Sequence, residues 1–272
     1  MNRRILLWIS GLSLALFVYR GVIRLLLLPY VVLPDLPGGI DLSTTLILIS
    51  SLTHALYVLG VRHTAIFAVA SAVISWAFEQ TGVATGAIYG PYHYTDFLGL
   101  KLGHVPLLIP MAWFMMIYPS YIITNLIVDG QPAGSRGGLV RIAGLSVLTA
   151  MVMTAWDLVV DPMLSGPLFK AWVWEQGGPY FGVPTQNFIG WLMTTFVVYG
   201  VYRLYERRSE PRPMGPVSKP IVLMPLIVYG SLMISDTLLG NVEPMPVIAA
   251  FVMGLPLAAA TIRLFSPAPQ RS

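Results

Sequence analysis

VPLLIPMAWFMMIYPSYIITNLI, residues 105–127, carries no charged side chain over a stretch longer than the roughly 20 apolar residues a bilayer-crossing helix needs. Comparable runs lie at 5–27, 42–60, 64–89, 139–160, 187–205, 220–240 and 246–264. In hydrocarbon a backbone has only itself to hydrogen-bond, so each run is read as a continuous helix. The fold class is therefore all-α: a polytopic transmembrane helical bundle of about eight spans, with seven as the alternative count, forming a single integral membrane domain over 1–272.

Composition agrees. Charged residues are 10 % of the chain, against roughly 25 % in an ordinary soluble domain. Hydrophobic residues are 56 % and the mean hydropathy is +0.74. Such a chain cannot dress a water-facing surface, which excludes a secreted scaffold, a sizeable soluble catalytic domain and, despite a pI of 9.4, a nucleic-acid binder. With no cysteine there is no disulfide, no thiol catalysis and no thiolate metal site. The first run opens on Arg3 and Arg4 but meets no small-residue cleavage pattern, so it is read as an uncleaved span.

Eight spans put both termini on one face. There fall Arg3, Arg4, Arg62, Arg136, Arg141, Arg203, Arg207, Arg208, Arg212, Lys219, Arg263 and Arg271, while only Lys101 and Lys170 lie in the opposite loops. Arg20 and Arg24 belong to the outer part of the first span. The excess of basic residues predicts cytoplasmic termini in a cell membrane, and the basic loop 203–219 orients the chain and can touch anionic lipid. The loops 90–104 and 161–186 are too apolar for a solvated linker and too rich in Gly and Pro for a helix, so they are expected to fold back over the bundle.

An intramembrane carboxylate costs about 2.5–3.5 kcal/mol and is a functional signal by default. Three acids qualify. Glu79 is expected about 16 Å from the outer end of its helix, and Asp157 and Asp236 about 6 Å from theirs. Asp161 follows Asp157 at i+4, on the same helix face, and Pro162 makes Asp161 the expected last helical residue. Asp236 is expected to be hydrated or paired with Arg24. Gly82, Gly86 and Gly90 have the four-residue spacing of close helix packing, which would also admit a thin, flat ligand.

The histidines, His54, His63, His93 and His104, lack the short spacings of membrane di-iron enzymes, so no metal is expected. His54, alone in an apolar run, is read as a packing residue, and His104 stands at the mouth of the fourth span. No Walker loop, dinucleotide fingerprint or nucleophile elbow occurs, so no cofactor is expected. What remains is acid chemistry among aromatics. A buried carboxyl can keep a proton, and ring faces stabilise a cation, which are the parts needed to protonate an alkene.

FEQTGVATGAIYGPYHYT at 78–95, GHVPLLIPMAW at 103–113, WDLVVDP at 156–162 and WVWEQGGPYFGVPTQNFIGW at 172–191 resemble the membrane family of carotenoid biosynthesis proteins that contains the carotenoid 1,2-hydratases of the CruF type. The resemblance implies an integral membrane enzyme, without cofactor, that adds water to the terminal C1–C2 double bond of an acyclic (ψ) carotenoid end group, leaving a tertiary alcohol. Lycopene, γ-carotene and C50 precursors all carry such an end. In this reading Asp157 or Glu79 is the general acid. The other, with Asp161 and either His104 or Asn187, orients and deprotonates the water. Trp76, Tyr89, Tyr94, Trp113, Trp156 and Trp191 line the substrate channel. The expected partners are the carotenoid, water, membrane lipid and other enzymes of the carotenoid pathway. Two other classes stay open. Asp157-x-x-x-Asp161 looks like half of the Asp-rich signature of an Mg²⁺-dependent membrane prenyltransferase, though Met153 occupies the preceding turn. A carotenoid-binding or lipid transport protein would use the same acids and aromatics without chemistry.

Overall fold

The computed structural model describes residues 2–134, 137–209 and 217–266. Arg136, Arg212, Arg271 and Glu210 lie outside the described residues. Eight long helices are found among them: α1 (Arg3–Leu27), α2 (Ile40–Leu59), α3 (Val61–Thr85), α4 (Leu108–Asp129), α5 (Leu139–Leu164), α6 (Thr185–Arg208), α7 (Lys219–Gly240) and α8 (Met245–Phe265). α1 contains a π-helical turn at Tyr19–Ile23, and α8 is interrupted at Met253, where Gly254 and Pro256 follow. All except α6 are long and apolar enough to cross a membrane by themselves. α6 is as long but more polar, because it turns Asn187, Thr194, Thr195, Arg203 and Glu206 into the bundle, where all five are buried.

α4 is the centre. Every residue from Trp113 to Leu126 is buried, and α2, α3, α5, α7 and α8 pack around it. The helices alternate between two ends of the bundle. At one end Arg3 lies over Tyr57, His63 meets Tyr205, and Lys219 lies over Phe265, so the first and the last described helix begin and end there, respectively. At the other end are the segments 86–107 and 165–184, which fold back over the bundle as expected. They do so partly as a small antiparallel ribbon of β1 (Tyr92–Tyr94) and β4 (Trp172–Trp174), flanked by the short pair β2 (Lys101–Leu102) and β3 (Val105–Pro106).

Apart from the interrupted α8, three helices carry an interior proline beyond the first turn, and each proline leaves the carbonyl four residues earlier without its helical N–H. Another segment answers each one. Pro119 frees Met115 O, which accepts from Ser51 Oγ at 3.0 Å. Pro162 frees Leu158 O, which accepts from Tyr180 Oη at 2.9 Å. Pro225 frees Ile221 O, which takes His54 Nε2 at 2.8 Å. A carbonyl only accepts, so His54 Nε2 carries the proton and Nδ1 accepts from Tyr118 Oη at 2.7 Å. His54 is thus the packing residue expected from its apolar run.

Two boundaries differ from the sequence expectation. α5 does not stop at Asp161 but runs through Pro162 to Leu164, because Tyr180 satisfies the carbonyl the proline exposes. α3 ends at Thr85, with Gly86 in the left-handed region at φ 67° as its cap, so Glu79 lies about 9 Å from the helix end rather than 16 Å.

Replacing His54 by Leu removes the side chain that meets the Ile221 carbonyl and the hydrogen bond from the Tyr118 hydroxyl. The expected loss is about 1–3 kcal/mol of stability, measured as a lowered midpoint of thermal unfolding in detergent.

Candidate active site

The ribbon builds the site. Along a strand, residues two apart share a face, so Tyr92 and Tyr94 point inward together, as do their cross-strand partners Trp174 and Trp172. Each pair holds one acid. The hydroxyls of Tyr92 and Tyr94 both donate to Glu79 Oε2, the latter at 2.8 Å, and Trp113 Nε1 donates to Oε1 at 3.3 Å. The indoles of Trp172 and Trp174 both donate to Asp161 Oδ1, at 3.1 and 3.0 Å. Burial first, and then the Glu79 carboxyl, push the Tyr92 and Tyr94 hydroxyls well above the usual phenol range, so both remain donors at neutral pH.

Asp157 and Asp161, one turn apart on α5, are joined from α6. The Asn187 amide donates to Asp157 Oδ2 and to Asp161 Oδ2, at 2.8 Å each. Glu79 and Asp161 thus each receive three N–H or O–H donors. Asp157 receives one, and its Oδ1 is buried with no partner among the described residues.

Tyr89 locks the ribbon to the helices. Its ring enters a slot between α3 and α6 that exists because Gly82 and Gly190 have no side chains; a Cβ on either would lie within 2.6 Å of the ring. Its hydroxyl pairs with Thr194 Oγ1 at 2.8 Å. The expected glycine row therefore divides. Gly82 gives close packing, but to a tyrosine ring rather than a helix, whereas Gly86 and Gly90 serve the turn into β1.

A cavity lies beneath the ribbon. Of the residues expected at the site, Glu79, Tyr89, Tyr94, Trp113, Trp156, Asp161, Asn187 and Trp191 are on its wall. Asp157 stands behind, reached through Asn187. His104 is exposed, and its backbone N–H bonds Gln80 Oε1 at 2.8 Å. Trp76 donates to Leu102 O at 3.1 Å, away from the cavity wall. Tyr92, Trp172 and Trp174 were not among the expected site residues, although they make the direct contacts to Glu79 and Asp161. The signal was the alternation Tyr-x-Tyr and Trp-x-Trp, the period of a strand.

The stacked rings of Trp113 and Trp191 (4.2 Å, 17°) meet Trp156 edge-on (6.0 Å, 77°). Trp156 is fixed in turn by Asp236, whose Oδ2 accepts its indole N–H at 2.8 Å. Asp236 is thus buried and bonded to Trp156, not paired with Arg24. Arg24 and Arg20 instead pair with Asp35, at 3.3 and 3.4 Å.

The fold and the site define a helical membrane bundle with an aromatic cavity beside buried carboxyls. The model of the carotenoid biosynthesis protein family matches residues 41–257, and the chain belongs to that family. A bisanhydrobacterioruberin hydratase from Haloarcula japonica is 31 % identical over 134 residues, which cover 49 % of this chain and 42 % of that protein. The match thus spans less than half the length of that relative. No solved structure gives a significant match.

The Tyr89 slot has a paired test within α6. Gly190→Ala would place a Cβ 2.5 Å from the Tyr89 ring and 2.7 Å from Ile88 O, whereas a Cβ at Gly200 meets nothing within 4 Å. Thermal unfolding should therefore show Gly190→Ala losing about 1–3 kcal/mol and Gly200→Ala gaining about 0.5–1 kcal/mol.

Proposed function

We propose that the protein is a carotenoid hydratase that adds water to the terminal C1–C2 double bond of an acyclic end group. The observation that carries this reading is the cavity wall. Glu79 and Asp161 face one aromatic space, and the second carboxyl of an Asp pair lies directly behind. The family and the name of the Haloarcula japonica relative support the same substrate class.

Three carboxyls this close repel one another when ionised, which favours keeping a proton within the group. Three donors on Glu79 favour its ionised form. The Asp157/Asp161 pair, linked by one amide, holds a single negative charge and one proton. Asp161 carries three donors as Glu79 does, so that proton rests on Asp157, whose Oδ1 has no donor, and it reaches the less substituted alkene carbon through Asp161 on the wall. The resulting tertiary cation lies against the faces of Trp113, Trp156 and Trp191. Water adds to the cation and its surplus proton passes to Glu79, so that one water is added overall and the proton returns to the Asp pair through solvent. The prenyltransferase reading is less favoured, because the Asp161 oxygens are met by N–H groups, the wrong partners for Mg²⁺. Mg²⁺-dependent consumption of a prenyl diphosphate would support that alternative.

Incubation of the purified protein with lycopene in ¹⁸O-labelled water should give a product heavier by one labelled water. Glu79→Gln and Asp161→Asn should each slow its formation at least about 10²-fold, with His104→Ala and Trp76→Phe close to the parent rate. Full activity in both acid variants would refute the mechanism.

We also propose that the end at which α1 begins and α8 ends faces the cytoplasm of a cell membrane, as the basic residues there favour. A reporter fused after Ser272 should then give a cytoplasmic signal.

A further inference from the structure

A second cavity lies between α1, α2, α4, α5 and α7. It holds none of the three site acids. Ile109, Ala112, Trp156, Val160 and Leu164 wall both cavities. Ile109 and Ala112 are spaced i, i+3 on α4, and the other three i, i+4, i+8 on α5. The shared residues are therefore two helix stripes that border both spaces. Beyond this edge the walls are mostly hydrocarbon, including Phe17, Ile47, Met115, Met163 and Leu232. Of the polar groups there, Ser43 is held by Arg20 at 2.6 Å, and Asp236 is occupied by the Trp156 indole.

An acid site that accepts one end of a long, rigid polyene must leave room for the rest of it, and the ribbon's Tyr92, Tyr94, Trp172 and Trp174 wall the first cavity. We infer that the second cavity is the channel for the conjugated body of the substrate, so that one rod-shaped polyene lies across both spaces. Its acyclic end meets Glu79 and Asp161, and its body lies between α1, α2 and α7. Trp156 forms the bend of the wall where the cavities join, and Asp236 is a positioning residue that holds the indole there. The inference deepens the hydratase reading and rests on it for the identity of the polyene.

Thr44→Phe and Leu239→Trp fill the second cavity from α2 and α7, and neither residue lines the first. Each purified variant is compared with the parent for thermal unfolding, for lycopene retained through purification, measured by absorbance per mole of protein, and for hydration of two compounds. These are lycopene and a short acyclic isoprenoid hydrocarbon with the same terminal double bond. The expected result is an unchanged melting temperature, retention and hydration of lycopene lowered about tenfold or more, and unchanged hydration of the short compound. Variants that retain lycopene like the parent overturn the channel, whether or not the parent makes hydrated product. If the parent retains lycopene, the filled variants lose it and no protein makes product, the channel stands and the hydratase reading falls. A parent that neither retains nor hydrates lycopene overturns both.

Discussion

A proline inside a membrane helix exposes a carbonyl that hydrocarbon cannot satisfy, and the architecture follows from how this bundle answers that demand. Ser51 on α2 reaches Met115 on α4, His54 on α2 reaches Ile221 on α7, and Tyr180 in the returning loop reaches Leu158 on α5. Each bond runs between segments distant in sequence. The prolines therefore do not simply weaken their helices, since their carbonyls become the points at which neighbours are registered. The third contact matters most for the site. By answering Leu158, Tyr180 lets α5 continue through Pro162 and carries the loop that starts α6, which puts Asn187 opposite the Asp157/Asp161 pair.

The same demand shapes the polar interior. α6 is the least apolar of the eight helices because it supplies both ends of the molecule. Near its start it gives Asn187 to the aspartates and Thr194 to Tyr89. Near its end Arg203 reaches Asn125 and Thr149, at 2.9 and 3.1 Å, and Glu206 accepts from Tyr121 at 2.7 Å. Buried polar groups at such density are tolerable only when they satisfy one another. Glu79 and Asp161 meet this rule with donors that cannot themselves accept a carboxyl proton at neutral pH: indole N–H groups, an amide, and tyrosine hydroxyls kept neutral by burial.

Much of this was legible in the sequence. Unbroken apolar runs gave the helices, including α6, whose run at 187–205 remains recognisable despite its inward polar face. Glu79, Asp157 and Asp161 stood out because carboxyls in such runs need a reason. The ribbon was not legible, since three-residue strands give too short an alternation to separate Tyr92–Tyr94 and Trp172–Trp174 from aromatics that line a membrane interface. The end of α5 was misplaced because the local rule for proline knows nothing of Tyr180, eighteen residues further on. Glu79 came out deeper than it is, as the run of apolar residues continues past Gly86 while the backbone already turns. The pairing of Asp236 with Trp156 across α7 and α5 had no local signal at all, and the nearest basic residue in the same part of the bilayer, Arg24, was the natural but wrong partner.

The aromatic wall joins these elements into a single mechanical unit. Asp236 fixes the Trp156 indole, whose edge meets Trp191; Trp191 stacks on Trp113, and Trp113 donates to Glu79. Four contacts thus run from one buried acid to another through three indole rings, with no long flexible side chain between them. Stabilising a transient charge is most effective when the surrounding dipoles and ring faces are already in place, so that nothing has to reorganise as the charge appears. A wall assembled from rings, each held at its N–H or by its neighbour, has that property before any substrate enters. It also accounts for an acid as far from the Asp pair as Asp236 being kept in the membrane: its cost is offset by fixing the ring that borders both cavities, and a looser Trp156 would leave the whole stack without its anchor.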